Sequence, residues 1–445
     1  MGSRGSKKTL VGHAALAQLP LFQDHQPTSC VSPERLPTNT TTYKHPVHRW
    51  FNFIAGFSPE FVHQCCEAAR LGHQAVLLDP FAGCGTALVV AAERGMRSIG
   101  YEPHPVFARI ARAKLPSPHS LDELAEVEQA ISRGLLTEAV SCEVSPDAEL
   151  FLAKLFSQEH LRDLLGARQE LEVTGLSRSD LGFLSLSAVV EKVTHSQTDG
   201  IYKAPTSRKT VTSPAEATRA VVSMIAHDLT VLDQPDYASL GRVHPVSSEH
   251  MSSVPNGGTD IIVTSPPYLN NFDYAEMTRM LLYFWNIAGS WGEITEKVRK
   301  KLIVNTTSAL KGHKDRQHRH RETLPFKARE ELDGLVEALR ARRQMRAGKK
   351  QYDYLVYPYF SQMTLVLKEC LRCLKPGAPI HVMVADAALY GVHIPTPQIL
   401  TELMREIGFS EAICQLVRRR GHRWILEKRE GSSQGLGEYH IVGHK

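Results

Sequence analysis

An apolar segment in the middle of the chain ends at two prolines. Residues 260–263 (Asp-Ile-Ile-Val) lead directly into Thr264-Ser265-Pro266-Pro267-Tyr268, which predicts a buried strand closed by a rigid turn. Because proline has no backbone N–H, the carbonyl oxygens of Ser265 and Pro266 are available as acceptors beside the ring of Tyr268. Acceptors next to an aromatic face suit an amino group on a flat ring, such as a nucleobase turned out of its helix. Two prolines can equally do no more than end a strand.

A second segment has the glycine spacing of a ligand-binding turn. The apolar residues 76–78 and Asp79 run into Pro-Phe-Ala-Gly-Cys-Gly-Thr, which ends at Thr86 and precedes a helix-like segment over residues 87–94. Glycines permit positive φ and let a ligand approach the backbone closely. The next strand, predicted over residues 97–102, ends in Glu102. An acid at that position can accept hydrogen bonds from both hydroxyls of a ribose.

Together these segments resemble the amino-methylating DNA methyltransferases. The resemblance lies in Asp-Pro-Phe-x-Gly-x-Gly-Thr (residues 79–86), in Glu102 about one helix later, and in Thr-Ser-Pro-Pro-Tyr (residues 264–268). It implies an α/β, Rossmann-like class I fold that uses S-adenosylmethionine as the methyl donor, with a mainly helical insertion and a basic insertion added to it. Members with Ser in place of Asp or Asn before Pro-Pro-Tyr more often make N4-methylcytosine than N6-methyladenine.

The resemblance also assigns roles to individual residues. The catalytic set is Ser265, Pro266, Pro267 and Tyr268. The cofactor set is Phe57, Ser58, Asp79, Phe81, Gly83, Gly85, Thr86, Glu102 and Ser248. Ser58 also fits the N-cap of a helix predicted over residues 59–69. Many relatives carry Gly-Asp where this chain has Ser247-Ser248, so either Ser248 or backbone groups would meet the adenine of the cofactor.

The chemistry implied is displacement at a sulfonium carbon by a weakly nucleophilic amine. Acceptors that bind both amino hydrogens, here Ser265 and the Pro266 carbonyl, would keep the nitrogen lone pair aimed at the methyl group, with Tyr268 stacked on the base. No covalent nucleophile is needed, so Cys84 requires no catalytic role. Orientation and electrostatic preorganisation would supply most of the rate.

The resemblance divides the chain into parts. It covers roughly residues 43–115, 240–290 and 355–445, with the glycine turn before the Ser-Pro-Pro-Tyr motif. We therefore predict a mobile N-terminal arm over 1–40 and a catalytic domain built from 41–118, 240–290 and 355–445. A helical insertion over 119–239 is a candidate target-recognition region, and a basic insertion over 291–354 is a candidate nucleic-acid contact.

Positive charge is concentrated in one segment. The 445 residues carry a net charge of +5, yet residues 297–350 hold 17 Lys and Arg against six Asp and Glu. A flexible insertion of this charge favours a nucleic-acid clamp centred on Lys314, Arg316, Arg319 and Arg321, although a solvated helical face would have the same composition. The polar loop predicted over 194–213 either touches phosphates or is a solvated linker. Its basic residues are Lys203, Arg208 and Lys209. Which insertion reads DNA sequence stays open.

Cysteine content and hydropathy favour a soluble intracellular protein. The eight cysteines are scattered within apolar segments, which predicts reduced thiols and no metal site. A Cys-x-x-Cys at 370–373 falls in a predicted helix without a second pair. We expect no signal peptide, no membrane span and a cytoplasmic, nucleoid-associated protein of a prokaryote.

The expected function is N4-cytosine methylation of duplex DNA for restriction–modification or phage defence, with a cognate nuclease as partner. The alternatives are N6-adenine methylation of DNA, amino-methylation of RNA or tRNA, and a non-catalytic module that only binds nucleic acid. The oligomeric state is not predicted.

Overall fold

The strands in the described part of the chain form one large mixed sheet and two small hairpins. The computed structural model describes residues 39–53, 55–115, 121–137, 144–199, 202–208, 210–231, 241–345, 350–419 and 435–445, with backbone alone at 39–40, 197–199, 202–208 and 231. Residues 1–38 of the predicted arm lie outside this part of the chain. The strands are β1 (Val76–Asp79), β2 (Arg97–Tyr101), β3 (Ser196–Asp199), β4 (Tyr202–Arg208), β5 (Gly241–His244), β6 (Ile261–Thr264), β7 (Pro379–Ala385), β8 (Ala387–Leu389), β9 (Val392–Ile394), β10 (Ser410–Arg419) and β11 (Gly437–His444).

Strand order in the large sheet is β10-β11-β7-β6-β1-β2-β5. Five neighbouring strands are parallel to one another, namely β7, β6, β1, β2 and β5. Strand β11 runs antiparallel to both of its neighbours. From β1 the chain adds β2 and β5 on one side, and it then returns to add β6 and β7 on the other side. The strand order therefore reverses between β1 and β6, and ligands of open α/β sheets bind at such a reversal. This topology confirms the predicted α/β, Rossmann-like fold.

The two central strands are apolar because both sheet faces are covered. Val-Leu-Leu-Asp in β1 and Ile-Ile-Val-Thr in β6 are buried at every position. Continuous apolar runs are typical of parallel strands between two helical layers. Leu77 pairs with Ile261 and Leu78 with Ile262, so the two strands end side by side. The turns that follow them must therefore meet.

Helices flank the sheet and fill both insertions. They are α1 (Pro59–Ala68), α2 (Thr86–Glu93), α3 (Pro105–Lys114), α4 (Leu121–Leu136), α5 (Pro146–Leu152), α6 (Gln158–Val173), α7 (Asp180–Val193), α8 (Pro214–Val231), α9 (Tyr274–Met277), α10 (Arg279–Phe284), α11 (Trp291–Lys297), α12 (Gln317–Glu322), α13 (Phe326–Met345), α14 (Val356–Cys373) and α15 (Thr396–Ile407). The Ser58 hydroxyl accepts a hydrogen bond from Phe61 N at 3.3 Å, which confirms the predicted cap of α1. None of the helices in the described ranges is long and apolar enough to span a bilayer.

One local prediction was wrong, and two helical segments are interrupted. The loop expected over 194–213 contains the β3–β4 hairpin, because strand pairing uses backbone groups and tolerates polar side chains. In the helical insertion, α5 and α6 are separate helices, since Ser157 caps a new start at α6. Helices α9 and α10 are separated at Thr278, whose hydroxyl bonds to His104 Nε2 at 2.8 Å.

The basic insertion is folded, whereas the sequence suggested a flexible segment. Helix α13 buries Leu332, Val336 and Leu339 in the core that α14 also lines. Many cations of the segment pair with acids, including Lys297 with Glu293 at 2.6 Å. The charged composition of the segment did not indicate a buried helix face, because the apolar positions of α13 are few and widely spaced.

Candidate active site

A cleft of about 800 Å³ lies at the carboxyl ends of the central strands. Its walls come from the glycine turn after β1, the residues that follow β2 and β5, the Ser-Pro-Pro turn after β6, and the segment before α1. Parallel strands present their carboxyl ends to one edge of the sheet, so the fold places all of these turns together.

Most of the predicted site residues meet in this cleft. Those that line it are Phe57, Asp79, Phe81, Gly83, Thr86, Glu102, Ser248, Ser265 and Pro267. The others do not border the cleft among the residues that the structure describes. Those residues are Ser58, Gly85, Pro266 and Tyr268.

Each of these four has a visible structural task. Ser58 caps α1. Gly85 has φ +86, and a Cβ added there would lie 3.2 Å from the Ala111 Cβ, so it allows α3 to pack closely. Pro266 borders a smaller apolar void. Tyr268 is half-buried and packs against the core that contains α14.

Glu102 is held by the backbone of the glycine turn. Its Oε2 accepts from Gly83 N at 2.9 Å, and its Oε1 accepts from His104 N at 2.8 Å. Burial raises the pKa of Glu102 to about 8, against the opposing effect of these hydrogen bonds. A carboxylate offers roughly four acceptor positions, so acceptor capacity is left for ligand hydroxyls.

Asp79 joins the two sequence motifs. Its Oδ1 accepts hydrogen bonds from Phe81 N at 3.0 Å and from the Thr264 hydroxyl at 2.6 Å. Burial raises the pKa of Asp79 to about 7, while the two hydrogen bonds act in the opposite direction. The carboxyl therefore ties the start of the glycine turn to the start of the Ser-Pro-Pro turn.

An aromatic wall that the sequence analysis missed closes one side of the cleft. The rings of Phe53 and Phe107 lie 4.7 Å apart, those of His104 and Phe107 lie 4.4 Å apart, and Tyr274 borders the same wall. Burial lowers the pKa of His104 to about 3, so its ring is neutral. The position of Phe53, shortly before Gly56-Phe57, was the one available signal in the sequence.

Asn305 was also missed, and it supports the Ser-Pro-Pro turn from the basic insertion. Its amide donates to Tyr268 O at 3.3 Å and to Phe272 O at 2.7 Å. The backbone carbonyl oxygen of Asn305 accepts a hydrogen bond from Asn270 N at 2.7 Å. An asparagine in a loop gives no sequence signal for such a contact across more than 30 residues.

The predicted nucleic-acid contacts fall into three groups. Lys314, Arg316 and Arg319 are exposed. Arg321 forms a salt bridge with Asp333, with its Nε donating at 2.8 Å. The remaining three are not described in full: Lys203 and Arg208 lie on β4, where only the backbone is described, and Lys209 lies outside the described residues.

Three residues with the side-chain chemistry of metal ligands lie close together, two of them buried and His440 partly buried. None of the three is among the residues that line the cleft. Cys65, His381 and His440 place ligand atoms within 4.8 Å of one another. His381 Nδ1 and His440 Nε2 lie 3.0 Å apart and share a hydrogen bond, and burial lowers their pKa values to about 3 and about 4. We interpret this group as a neutral histidine pair packed beside a thiol.

The fold and cleft thus define a Rossmann-like protein with a candidate ligand site at its topological switch point. No protein-family model matches the chain. It is similar to the Type II methyltransferase M.BsoBI of Geobacillus stearothermophilus, at 25% identity over 430 residues, which covers 88% of this chain and 83% of that protein.

Two further proteins are similar over nearly the same length. The Type II methyltransferases M.AvaI of Nostoc sp. and of Anabaena variabilis are each 22% identical over 435 residues, covering 88% of this chain and 84% of the relative. The solved structure of the cyclase SpnF aligns over 87% of this chain and 81% of that chain, at a TM-score of 0.31 and 10% identity. A TM-score this low carries no further conclusion.

Proposed function

We propose that this protein is a site-specific DNA methyltransferase that transfers a methyl group from S-adenosylmethionine to N4 of a flipped cytosine in duplex DNA. The observation that carries the proposal is that the glycine turn, Glu102 and the Ser265 turn border one cleft at the reversal of the sheet. The similarity to Type II methyltransferases over 88% of the chain supports the same class.

The residues of the cleft fit the cofactor. Glu102 would accept hydrogen bonds from the ribose hydroxyls. Gly83 has φ +52, and a Cβ there would lie 3.0 Å from the Phe53 ring, so glycine is needed both for the shape of the turn and for the packing of that ring on it. Phe57 and Ser248 border the same space and would face other parts of the cofactor. When bound, S-adenosylmethionine supplies an electrophilic methyl group on a sulfonium.

The Ser265 turn would orient the amine. The Ser265 hydroxyl and the Pro266 carbonyl are the proposed acceptors for the two amino hydrogens, and Tyr268 is the proposed stacking partner of the base. Cys84 lines the cleft, but burial raises the pKa of its thiol to about 12. It therefore stays protonated at neutral pH, which supports transfer to an amine without a cysteine nucleophile.

We propose that duplex DNA contacts the exposed cations Lys314, Arg316 and Arg319. Arg321 already pairs with Asp333, so it would reach a phosphate only if that pair opened. The catalytic domain would comprise 41–118, 240–290 and 355–445, and the helical insertion over 119–239 would take part in target recognition. A restriction or defence nuclease is the proposed functional partner.

Nucleoside mass spectrometry tests this function. Unmethylated duplex DNA is incubated with the purified protein and S-adenosylmethionine that carries a deuterated methyl group, so that transferred methyl is distinguished from any already present. We expect labelled N4-methylcytosine. Labelled N6-methyladenine would retain the class and contradict the choice of base. If DNA acquires no label, the same assay on structured RNA separates an RNA enzyme from a binding module.

A further inference from the structure

A segment before α1 lies across the cofactor cleft. We call residues 45–53 and 55–57 the strap. Phe53, Ala55, Gly56 and Phe57 of the strap line the cleft, and the Phe53 ring packs on Gly83 of the glycine turn. The position of the strap therefore sets the width of the cleft on this side.

One buried carboxylate of the helical insertion holds the start of the strap. Asp228 on α8 is fully buried, and its Oδ2 accepts from Val47 N at 3.0 Å, from Arg49 Nε at 3.0 Å and from Trp50 Nε1 at 2.9 Å. The Arg49 guanidinium also donates to Oδ1 through Nη2. Asp228 lies about 180 residues after its partners, so these hydrogen bonds join two regions that are far apart in the sequence.

The strap needs such a clamp because its backbone is strained. Val47 has φ 62 and ψ −49, and His48 N donates to Pro46 O at 2.6 Å. This is a γ-turn with positive φ at its centre, a rare and strained conformation that a β-branched residue disfavours further. Such a conformation persists only where its surroundings hold it. The bond from Val47 N to Asp228 fixes the strained peptide directly.

Lys114 on α3 holds the strap from the catalytic domain. Its Nζ donates to His48 O at 2.9 Å and to Phe51 O at 3.1 Å. Two side chains therefore hold the His48–Trp50 turn of the strap. Asp228 accepts hydrogen bonds from residues 47, 49 and 50, and Lys114 donates to the carbonyl oxygens of residues 48 and 51. Lys114 belongs to the fold that forms the cleft, whereas Asp228 belongs to the insertion.

We propose that Asp228 is a positioning residue that sets cofactor affinity by locking the strap against the cleft. The inference rests on the proposed function, since it takes S-adenosylmethionine as the ligand. It gives the helical insertion a task at the cofactor site, in addition to target recognition. Asp228 acts through Phe53 and Phe57 and does not border the cleft among the residues that the structure describes.

The test compares two carboxylates of the insertion. Asp228→Asn keeps the side-chain shape but removes the charge that the Arg49 guanidinium needs. Asp180→Asn is the matched control, because Asp180 on α7 binds Arg109 and Arg112 of α3 at 2.9 and 2.7 Å without touching the strap. Calorimetry with S-adenosylmethionine and with its demethylated product measures affinity, and steady-state kinetics separate KM from kcat.

We expect Asp228→Asn to weaken cofactor binding by about tenfold, as for loss of a hydrogen-bonded charge. The KM for S-adenosylmethionine should rise by a similar factor, while kcat at saturating cofactor stays within about twofold, because the reacting groups are untouched. Asp180→Asn should leave affinity unchanged. Equal losses in both variants would indicate general loosening of the insertion and would contradict the proposal.

A second variant tests the same contact in case Asp228→Asn fails to fold. Arg49→Gln removes one half-exposed donor to Asp228 and leaves the buried carboxylate with its hydrogen bonds from Val47 N and Trp50 Nε1. We expect a smaller loss of affinity, about threefold, in a protein with wild-type circular dichroism. A wild-type protein that binds no S-adenosylmethionine would contradict the proposed function. A wild-type protein that binds it, with Asp228→Asn and Arg49→Gln binding equally well, would contradict only the role of Asp228.

Discussion

The hydroxyl of Thr264 donates a hydrogen bond to Oδ1 of Asp79 at 2.6 Å, and both groups are buried. These residues end β6 and β1, the adjacent strands at the reversal of the sheet. The bond therefore fixes the Ser-Pro-Pro turn relative to the glycine turn before any ligand is present. Strand pairing already places the two turns side by side, and this contact adds a direct side-chain link between their first residues.

Thr264→Val should destabilise the protein by about 1–3 kcal/mol, because it removes a donor to a buried carboxyl while keeping the side-chain shape. It should also raise the pKa of Asp79 further, since the Thr264 hydrogen bond favours the ionised form. Urea denaturation at pH 7 measures the free energy of unfolding. Thr264→Ser keeps the hydroxyl and should recover most of the loss. Equal stability of the valine variant and the wild type would show that the bond contributes nothing.

Pattern and turn chemistry predicted the centre of this fold. The apolar residues of β1 and β6 could only be buried strands, and Ser58 before Pro59 marked the start of α1. Glycines after β1 and prolines after β6 located the turns that border the cleft. Local sequence carries these features because they depend on neighbouring residues.

Long-range contacts could not be predicted in the same way. Asp228 and Val47 are 181 residues apart, and a single aspartate on a helix does not indicate its partner. Asn305 supports Tyr268 from a segment whose charge suggested only nucleic-acid binding. The aromatic wall required the relative placement of α3, α9 and the strap. Such residues act through tertiary geometry, which a single sequence does not display.

Glu102 should make cofactor affinity depend on pH. Ribose hydroxyls donate to the ionised carboxylate, and burial raises the pKa of Glu102 to about 8. Below that pH the free protein holds a proton that binding must release, so affinity should increase as pH rises from 6 to about 8 and level off above it. Calorimetry across this range in wild-type protein measures the effect.

Two variants of Glu102 distinguish the effect of its charge from the effect of its hydrogen-bond acceptors. Glu102→Gln should lose most of the pH dependence, because its amide does not titrate. Glu102→Ala should weaken binding by at least about tenfold at pH 8, since both acceptors are lost. Unchanged binding by the alanine variant would show that Glu102 does not contact the ribose.

Ser265→Ala should lower turnover at least about tenfold while cofactor binding survives, because Ser265 is proposed to orient the amine and does not hold the cofactor. Single-turnover methylation of duplex DNA measures the first quantity, and calorimetry with S-adenosylmethionine measures the second. Thr264→Ser is a useful neighbour control, since it alters the same turn but retains both hydroxyls. Wild-type turnover in Ser265→Ala would remove Ser265 from the mechanism.

Replacement of Lys314, Arg316 and Arg319 by Gln should weaken DNA binding at all sequences and flatten its salt dependence. Each cation that neutralises a phosphate contributes about 0.9 to the slope of log affinity against log salt concentration, so three contacts should reduce the slope by about 2.7. Fluorescence anisotropy with a labelled duplex at several salt concentrations gives both quantities.

The matched control for that triple variant is Lys297→Gln with Lys300→Gln. Both lysines are exposed in the same insertion, but each pairs with a glutamate one helical turn away, Glu293 and Glu296 respectively. A cation already paired on the surface should release fewer counterions when DNA binds, so the control slope should stay near that of the wild type. Equal reductions in both variants would mean that the whole insertion attracts DNA through its net charge. A reduction confined to the control would place the contact at the end of α11 and the residues just after it, away from Lys314, Arg316 and Arg319.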